Sequence, residues 1–194
     1  MTSDPVDLLA RALGQTGALI AEVRPDHTSL PTPCESWDVA TLLDHILGDL
    51  PAFIVAARGG QPDYTAGPAS VSPDWAAAFT QRSKELLQVW RDARDPDKLT
   101  GGEAPREFQS MQVAEMAVHG WDLKKAIGST TELDPEVAEY SVEWMGGMLV
   151  PEYRGSEAEG KAFGPLVEVA PDAPAYDRLA ATSGRDPAWT PPTS

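Results

Sequence analysis

Several things are scarce in this 194-residue chain, and each scarcity narrows what it can be. There is one cysteine, Cys34, so no internal disulfide can form, and a reducing cytoplasm is the expected compartment. Basic residues are few: the formal net charge is −15, and Lys124-Lys125 is the only basic pair. A surface for nucleic acid or anionic membrane is therefore not expected, because nothing would offset the repulsion of phosphates. No apolar run is read as a membrane span, and the acidic, amphipathic start MTSDPVDLLARAL does not resemble a signal peptide. Only three histidines occur, so each can be weighed singly.

What is present is mostly helical pattern. Apolar residues make up 42% of a chain long enough for one core. Asp4-Pro5, Ser72-Pro73 and Asp134-Pro135 each put a capping side chain before a proline, which suits the first helical position because its missing N–H would be unpaired there anyway. Helical stripes follow: Val6, Leu9, Leu13, Ile20 and Val23; Trp75, Phe79, Leu86 and Trp90; Val137, Tyr140, Trp144 and Met148. A fourth helix is expected after Asp38, with Val39, Leu42, Leu43, Ile46, Leu50, Phe53 and Ile54 as its apolar arc. A fifth is expected from Arg106 to Ile127, stopped by Gly128.

Loops rich in Gly, Pro, Ser and Asp fill 24–36, 58–72 and 95–105. Beyond Pro151 the pattern fades; "PLVEVA" suggests a short strand, "AYDRLAATSG" a short helix and "TPPTS" a frayed end. The expected architecture is all-α: a bundle of four main helices with a fifth beside them over 1–150, and a short, mostly irregular C-terminal extension over 151–194.

The polar residues decide the function. His27, in "VRPDHTSL", is expected to be a solvated loop residue. His45 borders the arc of Leu42, Ile46 and Leu50, with Asp49 one turn later; taken alone it is a boundary histidine held by that carboxylate. Glu115 and His119, in "VAEMAVHGWDLKKAIG", leave one helical face about 6 Å apart at Cβ, with Asp122 a turn beyond. A carboxylate among apolar neighbours must be paired, hydrogen-bonded, protonated or bound to metal, so this pair alone leaves a buried hydrogen bond and a weak exposed ion pair open.

Adding His45 supplies three of the four positions of a tetrahedral zinc site, the donor set of open catalytic zinc centres. Ni²⁺, Fe²⁺ or Mn²⁺ would also accept these ligands. Asp49 and Asp122 then become acceptors for the histidines' other ring N–H. Cys34 is read as a small residue locking its loop, Trp37 and Trp121 as packing residues. The Gly-Gly pairs at 59–60, 101–102 and 146–147 sit in no phosphate-binding motif.

Together, "VRPDHTSLPTPCESWDVATLLDHILGD" and "EMAVHGWDL" resemble the short actinobacterial metal-binding proteins grouped with the mycothiol-dependent maleylpyruvate isomerase N-terminal domain, in the DinB-like superfamily. The ending "FGPLVEVAPDAPAYDRLAATSGRDP" is similar to the tail of short members. The resemblance implies a DinB-like four-helix bundle and a divalent metal, usually zinc, on His45, Glu115 and His119. It also implies chemistry on a low-molecular-weight thiol such as mycothiol with a small-molecule substrate, by isomerisation or transfer. The isomerase itself carries a larger C-terminal domain than the residues after Pro151 can form. Catalytic and thiol-binding residues are not transferred. A metal-dependent hydrolase, or a non-catalytic bundle that keeps its metal for stability or binds a small ligand, are the competing readings. A homodimer is one option for assembly.

Overall fold

A computed structural model describes residues 4–62, 74–93, 105–156, 159–161 and 163–192. Among these, six α-helices and no strand are found: α1 (Pro5–Ala21), α2 (Val39–Ala57), α3 (Trp75–Ala93), α4 (Pro105–Ile127), α5 (Pro135–Met148) and α6 (Ala175–Thr182). The first four pack in a ring, α1 on α4 and α3, and α2 on α3 and α4; α5 lies against α4 and α1, and α6 covers α5 and α4. This is the expected bundle with an additional helix.

The caps show why the helices start where they do. Asp4 Oδ1 accepts from Val6 N and Asp134 Oδ1 from Glu136 N, with proline at the first helical position in both cases. Asp38 Oδ1 accepts from Thr41 N and Thr41 Oγ1 and opens α2. Helix α3 is capped by Asp74, which accepts from Ala77 N; the Ser72-Pro73 signal, and most of the loops expected at 58–72 and 95–105, lie outside the described residues. Gly128, at φ +65°, takes the left-handed conformation that ends α4.

Helix α2 corrects one expectation. It is long and apolar enough by length and composition to cross a membrane. Its Leu42, Leu43, Ile46, Leu47 and Leu50 are instead fully buried in the core, each worth about 1.5–3 kcal/mol of burial. A core helix meets the same compositional test as a span. Helix α4 is buried over most of its circumference, with Val113, Met116, Ala117 and Leu123 inaccessible, because neighbours cover it on several sides. That burial gives Gln112, His119 and Asp122 a dry setting, while Glu115 stays part-exposed.

Two further expectations fail. Residues 165–170, read as a strand, form none, because no second strand among the described residues offers a ladder; Val167 N donates to Ala181 O and tethers the segment to α6. His27 is buried rather than solvated: it closes a short 3-10 turn, and its Nδ1 accepts from Arg24 N at 3.4 Å. The final residues 193–194 of the expected frayed end lie outside the described chain.

Candidate metal centre

The segment before α2 is folded by one threonine. Thr32 Oγ1 donates to Trp37 O at 2.9 Å and accepts from Cys34 N at 3.1 Å, while Val39 N donates back to Leu30 O. This tight loop sets Cys34 and Trp37 against the buried face of α4. Trp37 packs on both histidine rings, with centroids 4.6 Å from His45 and 5.7 Å from His119. Its expected packing role holds, and it limits how either ring can turn.

His45 comes from α2, Glu115 and His119 from α4. The two Nε2 atoms face each other at 3.1 Å, with the rings nearly perpendicular. Glu115 Oε2 lies 3.2 Å from the same His119 nitrogen. One ligand atom from each residue falls within 4.8 Å of the others, a grouping that can hold a metal ion. Donors about 2.1 Å from a tetrahedral zinc lie roughly 3.4 Å apart, so the observed separations fit a shared cation. The chemistry fits too, since two imidazoles and a carboxylate suit a borderline divalent ion.

The electrostatics show how tightly these groups are coupled. Two ring nitrogens this close cannot both carry a proton toward each other. Burial, then the charge of His119, pushes His45 down to about 4. His119 goes the other way: burial opposes its protonation, but hydrogen bonds to Asp122, Cys34 and Glu115 outweigh it and raise its pKa well above the ordinary value. Burial works against the Glu115 carboxylate, yet His119 and His45 hold its pKa below the usual range.

The far side of His119 is also fixed. Its Nδ1 lies 3.0 Å from Asp122 Oδ2, and Asp122 is fully buried. This is the carboxylate–histidine pairing that orients metal ligands, as expected for Asp122. Asp49 departs from its expected role. Its Oδ2 lies 3.3 Å from His45 Nε2, the nitrogen that faces His119, and not at the other ring nitrogen. Asp49 therefore stands on the ligand side. Burial and the nearby charge of Glu115 push it up to about 7.

Sequence reading missed Arg185. It reaches from just beyond α6 to the buried carboxylate, Nε to Asp122 Oδ1 at 3.3 Å and Nη2 to Oδ2 at 3.2 Å. The same Nη2 donates to Cys34 Sγ at 3.0 Å. Arg185 follows Gly184 in a turn and belongs to no stripe, so the sequence carried no signal for it. Cys34, His119 and Asp122 also lie close enough to hold an ion, but the Arg185 guanidinium already supplies positive charge there and disfavours a second cation. Cys34 and Arg185 line a cavity of about 270 Å³ between the pre-α2 loop and the C-terminal segment.

Fold and site first define a class: an all-α bundle whose core-facing histidine pair and carboxylate are arranged as a divalent-cation site would be. The chain belongs to the mycothiol maleylpyruvate isomerase N-terminal domain family, whose model matches residues 9–124. Two uncharacterized proteins of Mycobacterium tuberculosis, MT0763 of strain CDC 1551 and Rv0738 of strain H37Rv, are each 30% identical to it over 184 residues, 94% of this chain and 98% of theirs. No solved structure gives a significant match.

Proposed function

We propose that this protein binds one divalent cation, zinc in the first instance, through His45, Glu115 and His119, and uses it for transfer or isomerisation chemistry on a low-molecular-weight thiol of the mycothiol type. The observation that carries this reading is the pair of Nε2 atoms aimed at each other across 3.1 Å, with Glu115 Oε2 3.2 Å from one of them. Family membership supports the thiol. A cation held there would act as a Lewis acid and lower the pKa of a coordinated thiol, so that the nucleophile forms near neutral pH.

The chain's own residues supply the rest. Asp122 accepts from His119 Nδ1–H, so Nε2 is the nitrogen that would ligate once a cation displaced its proton. Trp37 packs on both rings and restricts their planes, while His45 stays part-exposed. Asp49 Oδ2, beside His45 Nε2, takes up a proton released on the ligand side. That carboxylate also suits the second reading, hydrolysis of an amide or ester, in which it would accept a proton from water. We assign residues 1–150 to the metal-binding bundle, 151–194 to an extension packed on it, and the protein to the cytoplasm, where a free Cys34 and a reduced thiol pool are compatible.

The test is metal analysis of the purified protein, with about one divalent ion per chain expected in wild type and little in His119→Ala. Equal metal content in the two would refute the site. Turnover that requires added thiol supports transfer or isomerisation; product formed without thiol supports the hydrolase.

A further inference from the structure

We infer that Arg185, from the C-terminal extension, is a positioning residue of the metal centre: it locks the Asp122 carboxylate that fixes His119, so the extension completes the site. The inference rests on the cation site proposed above and deepens it.

The contacts form one connected chain. Asp122 Oδ2 faces His119 Nδ1 at 3.0 Å, Arg185 Nη2 at 3.2 Å and Cys34 Sγ at 3.5 Å. Asp122 Oδ1 accepts from Arg185 Nε at 3.3 Å. The guanidinium thus grips both carboxylate oxygens as a fork, which fixes the carboxylate plane and leaves it an acceptor. Three separate parts of the chain meet here: the loop of Cys34, α4 through Asp122 and His119, and the turn after α6 through Arg185. The family model ends at residue 124, before Arg185.

A purely structural reading, in which the ion pair only ties the extension down, fares worse. The extension is anchored without it. Leu179, Ala180 and Ala181 are buried, and Lys125 Nζ donates to Pro187 O at 3.0 Å. Gly164 and Gly184 approach so closely that a Cβ on Gly184 would lie 2.5 Å from Gly164 Cα. Burying a guanidinium with a carboxylate costs desolvation that their attraction barely offsets, so such a pair is a poor choice for anchorage alone. It is a good choice for holding a ligand's partner in one orientation.

Arg185→Met, Asp122→Asn and the double variant test this. Zinc affinity is read by competition with a chromophoric chelator, on protein shown to be folded by circular dichroism. Each single variant should bind zinc about 10–100-fold more weakly, the usual effect of losing a group behind a metal ligand. The double variant should lose no more than Asp122→Asn alone, because Arg185 acts through that carboxylate. A second readout needs no metal: in wild type the His119 Nδ1–H proton should give a slowly exchanging downfield NMR resonance, and in Arg185→Met it should exchange fast. Arg185→Lys, which keeps the charge without the fork, should fall between the two and serves if the Met variant does not fold. An Arg185→Met protein with wild-type affinity and an unchanged resonance would overturn the inference, as would fully additive losses. If wild type bound no zinc, the proposed function would fall; loss of the resonance in Arg185→Met would then still support Arg185 as the residue positioning His119, and its persistence would refute that.

Discussion

Pro51 and Arg82 show how a single residue's defect is repaired by a neighbour. Pro51 sits inside α2 and has no N–H for the carbonyl of Leu47, four residues back. Arg82 on α3 donates its Nη1 to that carbonyl at 2.6 Å. Leaving such an acceptor unpaired costs about 1–3 kcal/mol, so Arg82→Met should destabilise the protein by that amount in urea melts. In a Pro51→Ala background the helix regains its N–H, and the same Arg82→Met change should then cost well under half as much. An undiminished cost would mean that Arg82 stabilises the protein by some other contact. The helix holding His45 is the one repaired here, so α3 braces it just past His45.

Between elements, α1 and α4 approach closely beside His119. Thr16 Oγ1 donates to Met116 O at 3.0 Å, and a Cβ on Gly120 would lie 2.9 Å from that same hydroxyl. Thr16 is β-branched and hydrogen-bonded, so it cannot swing away cheaply. Gly120→Ala should therefore cost about 1–3 kcal/mol of stability by thermal melting, although alanine is the better helix former. Pairing it with Thr16→Ser should leave the penalty, since the hydroxyl remains, whereas Thr16→Ala should relieve most of it. At this scale the sequence was largely readable. Period-3.6 stripes with Asp-Pro caps mark the starts of α1 and α5, and the Asp38 cap marks that of α2, because amphipathic patterning and capping are local. The strand expected at 165–170 failed for the opposite reason: strand formation depends on a partner, and local composition cannot say whether one exists.

For the whole molecule, the candidate centre draws on parts of the chain that no local pattern connects. Glu115 and His119 were legible because their residue types are rare in buried helices and their i,i+4 spacing marks one face. Asp122 was legible for the same reason. His45, on another helix, joined Glu115 and His119 only as a third possible metal donor and through the family resemblance. Arg185 was not legible, since its links to the site, to Asp122 and Cys34, are contacts across 63 and 151 residues of chain. Asp49 was found but given the wrong nitrogen, because ring orientation follows from packing against Trp37 and not from spacing. Convergence of this kind joins α2, α4 and, through Arg185, the extension, so a bound cation should stabilise the fold as one unit. At free zinc one hundred times its Kd, the added stability is about 2.7 kcal/mol. Stripping the metal with a chelator should then lower the wild-type melting temperature by several degrees, and zinc should restore it. His119→Ala should melt at one temperature with or without chelator. A wild-type curve that does not move on chelation would mean that the three side chains meet without gripping an ion, and that their convergence serves packing alone.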